Sequence, residues 1–410
     1  MIKNKLLRSA LFEPYWVGSL PQILIIAAAI STALYGIHWT LAFIAFAAFG
    51  TFGIPAIKLG WQKVRFSQKN KDNKPFQLKY FEESWIPDSF PQEDERERIS
   101  SKYFDFVIYL FHFLHFAMFF ITLATLAYSQ SYLAAILIGL SWGFFYAPVA
   151  ESYSHEFVHR RSLLQQMLGG SVWATFFYGT FLSEHCMGHH VHVSTPGDAS
   201  SARKNQTVYE FLPNAIINNP INGFKLEAKR LRNHNKPVIS VHNRILWLTL
   251  LSFVMLGSSY LIAGSVGLVF FLVQIVGSIL TIEVANYVMH YGLERRKLEN
   301  GRYERVSPLH SWNREGPTHM AVINLIRHSD HHAFPMRPYP ILRNFPEAPE
   351  LPLPYELLLY LPYFPKLWFK VMNPAVDLHM NKLREWQAAG IDDFERVMAH
   401  VEQPPAAAAS

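Results

Sequence analysis

Charged side chains are spread unevenly along the chain. No Asp, Glu, Lys or Arg occurs in the 44 residues between Glu13 and Lys58, the 45 between Asp105 and Glu151, or the 38 between Arg244 and Glu283. About 20 apolar residues cross a bilayer as a helix, so each run fits two spans joined by a tight turn. The turns fall near residues 35–39, 129–131 and 263–265. The pattern predicts an all-α polytopic membrane protein of six helices in three hairpins, with spans at about 16–36, 39–57, 106–128, 132–149, 245–263 and 266–287. Residues 1–410 read as one integral-membrane domain with a histidine-rich cap over 150–244 and 288–400. The Pro/Ala tail, 401–410, is expected to be disordered.

Composition agrees with this reading. Apolar residues are 50% of the 410 and aromatics 15%, while charged residues are 17%, against roughly 25% in ordinary soluble domains. So much apolar content excludes disorder as the main state. Cys186 is the only cysteine, which excludes a disulfide-built scaffold and any four-cysteine metal site within this chain.

Basic residues set the orientation. The three turns carry none, whereas Lys3, Lys5 and Arg8 precede the first span and ten lie in the connection 58–102. The connection 151–244 and the segment after His290 are also rich in them. The turns therefore face outside, and the termini and cap face the cytosol. The net charge of +6 reads as anchoring, not nucleic-acid binding. Pro14 and an aromatic flank lead into a span with no small-residue cleavage pattern, so no cleavable signal peptide is expected.

Nine of the nineteen histidines form four compact clusters. His155 and His159 lie in H-E-F-V-H, and His185, His189 and His190 in H-C-M-G-H-H. His290 ends N-Y-V-M-H, and His328, His331 and His332 form H-S-D-H-H. Helical residues at i and i+3 or i+4 share a face, so His155/His159, His185/His189 and His328/His331/His332 are each expected to aim two or more imidazoles at one point. Neutral imidazole is a common metal ligand. Nine are too many for one ion, so two ions are expected, and the ligand type leaves zinc, copper, iron and nickel open. Glu156, Glu184, Asp198 and Asp330 adjoin the clusters and are candidates to orient ligands or offset metal charge. H-E-F-V-H also fits a zinc-protease pattern with Glu156 as base, but that leaves seven histidines unexplained.

At these residues the chain resembles the membrane-bound di-iron alkane 1-monooxygenases of the fatty-acid-desaturase-like superfamily. The resemblance runs through H-E-F-V-H-R-R, S-E-H-C-M-G-H-H-V-H-V-S-T-P-G-D-A-S-S-A-R, A-N-Y-V-M-H-Y-G-L, G-R-Y-E-R-V-S-P-L-H-S-W-N, R-H-S-D-H-H-A-F-P and L-W-F-K-V-M-N-P. It implies six spans, two irons in the cytosolic cap, and dioxygen-dependent hydroxylation of the terminal methyl of n-alkanes, in a bacterial inner membrane. It carries the iron-ligand role onto His155, His159, His185, His189, His190, His290, His328, His331 and His332. His192, His310 and His319 fall outside the ligand pattern. Three departures stand out: Met289 where the family often has Glu, Asp198-Ala199-Ser200 for its Asp-Pro-Ala, and Lys58 and Gly60 where it tends to be acidic. Glu283, about two turns from His290, is the nearest carboxylate on that helix.

The resemblance also implies partners. Electrons must come from an external rubredoxin or ferredoxin and its NAD(P)H reductase, and Arg160, Arg161, Arg203, Lys204, Lys229, Arg230 and Arg232 offer a basic face to such a carrier. The hydrophobic substrate enters from the bilayer lipids, and the small Gly50, Thr51 and Gly53 either leave room for it or let helices touch. Rival readings are a methyl hydroxylase of alkyl aromatics or terpenes and a membrane desaturase. An inactive metal-binding relative is disfavoured because no charged or polar residue interrupts the spans to mark an ion path.

Overall fold

The computed structural model describes residues 15–36, 92–315, 317–391 and 397. The expected second span, with Gly50, Thr51 and Gly53, lies outside the described residues, as do Lys58, Gly60 and the tail 401–410. Among the described residues the chain is helical, with two isolated β-bridges and no strand. Four helical stretches are long and apolar enough to cross a membrane: Tyr15–Tyr35, Asp94–Ser129, Tyr132–Val158 and Arg244–His290.

The first stretch contains α1 (Leu20–Tyr35). The second holds a short polar helix α2 (Gln92–Ser100) and the apolar α3 (Lys102–Ser129). Gln130, with φ of 46°, ends α3, and the chain returns as α4 (Tyr132–Val158), which carries a π-helical turn at Trp142–Tyr146. Helix α5 (Leu163–Thr175) packs on α4. Helix α6 spans residues 181–192 with a second π turn at His185–His189. Helix α7 is Val208–Asn233 and α8 is Arg244–His290. Helices α9 (His328–Ala333) and α10 (Pro365–Ala388) follow.

A straight α8 would run about 70 Å, twice the apolar thickness of a bilayer. It does not run straight. Gly264 adopts φ 62° and ψ −148°, a region essentially closed to other residues. The two limbs fold back on each other. Ser252 Oγ donates to the Ala174 carbonyl from one limb, and Gln274 Nε2 donates to the adjacent Thr175 carbonyl from the other, at 2.8 and 2.7 Å. The returning limb crosses α4 where Gly143 meets Gly277, so close that a β-carbon on either would collide with the other backbone.

The spans are not free of polar groups, contrary to the expectation above. A count of Asp, Glu, Lys and Arg passes over neutral amides and imidazoles. Gln22 Nε2 donates to Tyr146 Oη at 2.9 Å, Tyr146 bonds His115 Nδ1 at 2.6 Å, and His115 Nε2 bonds Thr175 Oγ1 at 3.0 Å. Thr175 in turn donates to the Val172 carbonyl. One neutral tautomer of His115 satisfies the whole chain, so the row ties α1, α3, α4 and α5 together.

Helix α7 starts at a capping box in which Thr207 and Glu210 exchange hydrogen bonds. Its Phe211 packs on Tyr287 near the end of α8, and its Glu227 pairs with Arg244 at the start of α8. It thus runs beneath the folded pair of limbs and closes one side of the histidine-rich region.

Candidate metal centre

The nine singled-out histidines meet at the ends of α4 and α8, with α6 and α9 between them. They form two groups. His155, His159, His185, His190 and His331 make one; His189, His290, His328 and His332 make the other. Within each group, one ring nitrogen per residue lies within 4.8 Å of all the others. His155/His159 and His328/His332 follow the i, i+4 rule. His185 and His189 do not share a point, contrary to expectation, because the π turn at His185–His189 shifts the face by one residue and pairs His185 with His190. His331 likewise joins the group opposite to its neighbour His332.

The spacing of the rings fits an ion at each group. His185 Nε2 lies 3.1 Å from the Nε2 atoms of both His159 and His190, and His331 Nε2 lies 2.9 Å from that of His190. In the other group His328 Nε2 lies 3.2 Å from His290 Nε2 and 3.0 Å from His332 Nε2. Adjacent ligands with bonds of about 2.1 Å stand roughly 3 Å apart. The buried Nε2 atoms of His155 and His189 have no hydrogen-bond partner. Burial, and then the crowding of neighbouring rings, favours the neutral form of six of the rings: His159 and His328 fall to about 3, and His185, His190, His331 and His332 lie well below the usual value. Neutral rings with lone pairs facing one another can hold a divalent ion, and all-imidazole sets suit iron, zinc, copper or nickel.

The four candidate carboxylates occupy different positions. Asp198 accepts from His189 Nδ1 at 2.9 Å and from Ser200 N and Ser201 Oγ. That bond fixes the proton on Nδ1 and leaves Nε2 of His189 facing its group. Glu184 is buried with Oε2 unpartnered; burial raises its pKa, and so do Asp198 and Glu283 nearby. Glu156 faces away from the rings, held by Arg160 and the Tyr339 N–H, which leaves it no place as a protease base. Asp330 accepts from Arg337 and from the Arg343 N–H. Of the outlying histidines, His192 is exposed, while His310 and His319 pair with Glu304 and Glu315.

Several supporting residues carry no sequence signal. Tyr178 and Asn219 donate to buried Glu283, and Asn219 also reaches Ser200, which bonds the Asp198 carboxylate. Glu283 therefore connects to His189 through Asn219, the hydroxyl and backbone N–H of Ser200, and Asp198, and bonds none of the nine rings. Ser311 Oγ lies 3.4 Å from His290 Nδ1. On the other side of the histidines, Ser183 Oγ donates to Glu227, which also pairs with Arg230 and Arg244.

A narrow cavity opens onto both groups, bordered by His155, His185 and His328. Ile282 and Ala285 of α8 and the aliphatic residues among 322–326 form one part of the wall, and Met289, Glu151, Ser152, Asn286 and Tyr355 form the rest.

Residues 130–356 match the fatty acid desaturase family. The chain is 44% identical over 232 residues to alkane 1-monooxygenase 2 of Alcanivorax borkumensis, covering 56% of this chain and 61% of that protein. It is 43% identical over 268 residues to alkane 1-monooxygenase 1 of Pseudomonas aeruginosa, covering 65% and 68%. At 28% over 280 residues it is similar to the hydroxylase component of a xylene/toluene monooxygenase from Pseudomonas putida, covering 65% and 69%. The chain thus spans about three-fifths to two-thirds of the length of the first two relatives. With its apolar helices and two groups of buried imidazoles, the chain belongs to the fatty acid desaturase family and, within it, to the alkane 1-monooxygenases.

Proposed function

We propose that this integral membrane protein is a di-iron monooxygenase that converts n-alkanes to 1-alkanols. The observation that carries the reading is the gathering of nine imidazoles, eight of them buried, into two groups beside one cavity. His155, His159, His185, His190 and His331 would hold one iron, and His189, His290, His328 and His332 the other. Bound there, the irons would supply the reduction of dioxygen and the oxidising power needed at an unactivated C–H bond. The protein's part is to fix ring directions, as Asp198 does for His189, and to offer the reacting carbon the apolar side chains of Ile282, Val322, Leu325 and Ile326. With the irons bound, ionisation of Glu184, buried with one oxygen unpartnered, would offset the charge that neutral ligands leave.

The overall reaction is R–H + O2 + 2 electrons + 2 H+ giving R–OH + H2O. The electrons come from an external rubredoxin or ferredoxin served by an NAD(P)H reductase. Arg160, Lys204 and Arg230 are in ion pairs, while Arg161, Arg203, Lys229 and Arg232 are exposed and favour docking of an acidic carrier. The topology is six spans in a bacterial inner membrane, with the histidine groups on the cytosolic side. The absence of basic residues from the reversals at Gln130 and Gly264 supports that orientation.

The test is metal stoichiometry on anaerobically purified protein, followed by one turnover with n-alkane under oxygen-18. Two irons per chain and a labelled 1-alkanol are expected; zinc, or an unlabelled or oxygen-free product, overturns the reading. The similarity to a xylene/toluene monooxygenase component favours a second substrate class, the methyl group of an alkyl aromatic, and xylene beside octane in the same assay separates the two.

A further inference from the structure

The carboxyls around the histidine groups differ in what holds them. Arg160 and the Tyr339 N–H hold Glu156; His189, Ser200 and Ser201 hold Asp198. Arg337 and Arg343 hold Asp330, and Tyr178, Asn219 and Asn286 hold Glu283. Glu184 has one oxygen unpartnered but does not border the cavity. Glu151 combines two properties that none of these shares: it lines the cavity, and it has no hydrogen-bond or ion-pair partner among the described residues. It lies one turn before His155 on α4. Glu151 is half-buried, and a carboxyl without a partner is costly to withdraw even partly from water. Where it also faces a chamber beside a reactive centre, function is the physical reason for keeping it.

We propose that Glu151 is the group that passes protons into this cavity during turnover. The proposal rests on the monooxygenase reading. In that reaction the O–O bond and one C–H bond break, a C–O bond and water form, the carrier supplies two electrons, and two protons must reach the cavity. The other titratable groups bordering the cavity are His155, His185, His328 and Tyr355. The imidazoles turn their lone pairs into the metal groups and carry no spare proton toward substrate. Burial, and then the charge of Glu151, pushes the Tyr355 phenol up, so it holds its proton too tightly to be the donor. Glu151 remains, and Tyr355 stands beside it.

The variants are Glu151→Gln, which keeps the shape but cannot ionise, and Glu151→Asp, which can. Glu151→Gln is expected to keep two irons per chain and the wild-type thermal midpoint. It should form about 10²-fold less alcohol per electron consumed, with hydrogen peroxide appearing instead. Glu151→Asp should recover part of the coupling and show an enlarged solvent deuterium isotope effect. A readout independent of turnover is the infrared difference spectrum on iron loading, in which Glu151→Gln should abolish a carboxyl signal. Wild-type coupling in Glu151→Gln, loss of its iron, or an unchanged infrared spectrum each overturns the proposal. If the wild type forms no labelled alcohol from any substrate, the monooxygenase reading fails separately, and the infrared comparison still decides whether Glu151 responds to the site.

Discussion

The two histidine groups differ most at their edges. In the group of four, His189 donates directly to Asp198, and Asp198 continues through Ser200 and Asn219 to buried Glu283. In the group of five, no ring bonds a carboxylate among the described residues. Its rings pack on one another, and His185 packs on Phe181 and Trp173. Its ionic brace is a step removed, from Ser183 to Glu227 and on to Arg230 and Arg244. One group is set by polar contact with its ligands and the other by packing with a distant ion cluster, so perturbations should separate them.

The strongest separation comes from two neighbouring residues. His331→Ala should empty the group of five and His332→Ala the group of four. Each should leave one iron per chain, by metal analysis, and take turnover to background; loss of both irons in both variants would mean that the groups load as one unit. Next, Asp198→Asn should weaken metal binding at the group of four by about 10–100-fold while the other group stays loaded, as a metal titration would show. Asp330→Asn should instead spare iron content and lower stability by about 3 kcal/mol, because its partners are buried or half-buried arginine contacts, not ligands.

Acid should act on the group of five through its brace. Burial alone would raise the Glu227 carboxyl, but hydrogen bonds and charge from Arg230 and Arg244 outweigh it and hold Glu227 at about 2. A depressed carboxyl stabilises the fold above its unfolded value near 4.5 and loses that contribution as pH falls toward 2. The thermal midpoint of the metal-free protein should therefore drop between pH 5 and 2.5. In Glu227→Gln it should start lower and vary less over that window. The smallest effect belongs to Ser311→Ala: its contact with His290 is long and neutral, worth about 1 kcal/mol or less, so iron affinity should fall no more than about fivefold.

The helical, membrane-spanning character was legible because charge is excluded from long runs. The nine histidines were legible because they cluster at helical spacings. Their partition was not. Nothing in H-C-M-G-H-H announces a π turn, and only that turn sends His189 and His190 to different groups. The charge count that exposed the spans also hid His115 and Gln22 within them. Asn219, Tyr178 and Ser311 reach the site from distant segments, where spacing in the chain says nothing about proximity. The sequence did mark Met289 as a missing carboxylate, but the cavity's own carboxyl, Glu151, became visible only when α4 and α8 were brought face to face.

The partition has a mechanical consequence. His189–His190 and His331–His332 are each one peptide unit whose two side chains serve opposite groups. Consecutive α-carbons stand 3.8 Å apart across a trans peptide, a length that thermal motion hardly alters. The chain therefore carries two covalent rungs between the groups, one on α6 and one on α9. The spacing of those α-carbon pairs is set by the polypeptide backbone instead of by how well the helices happen to be packed.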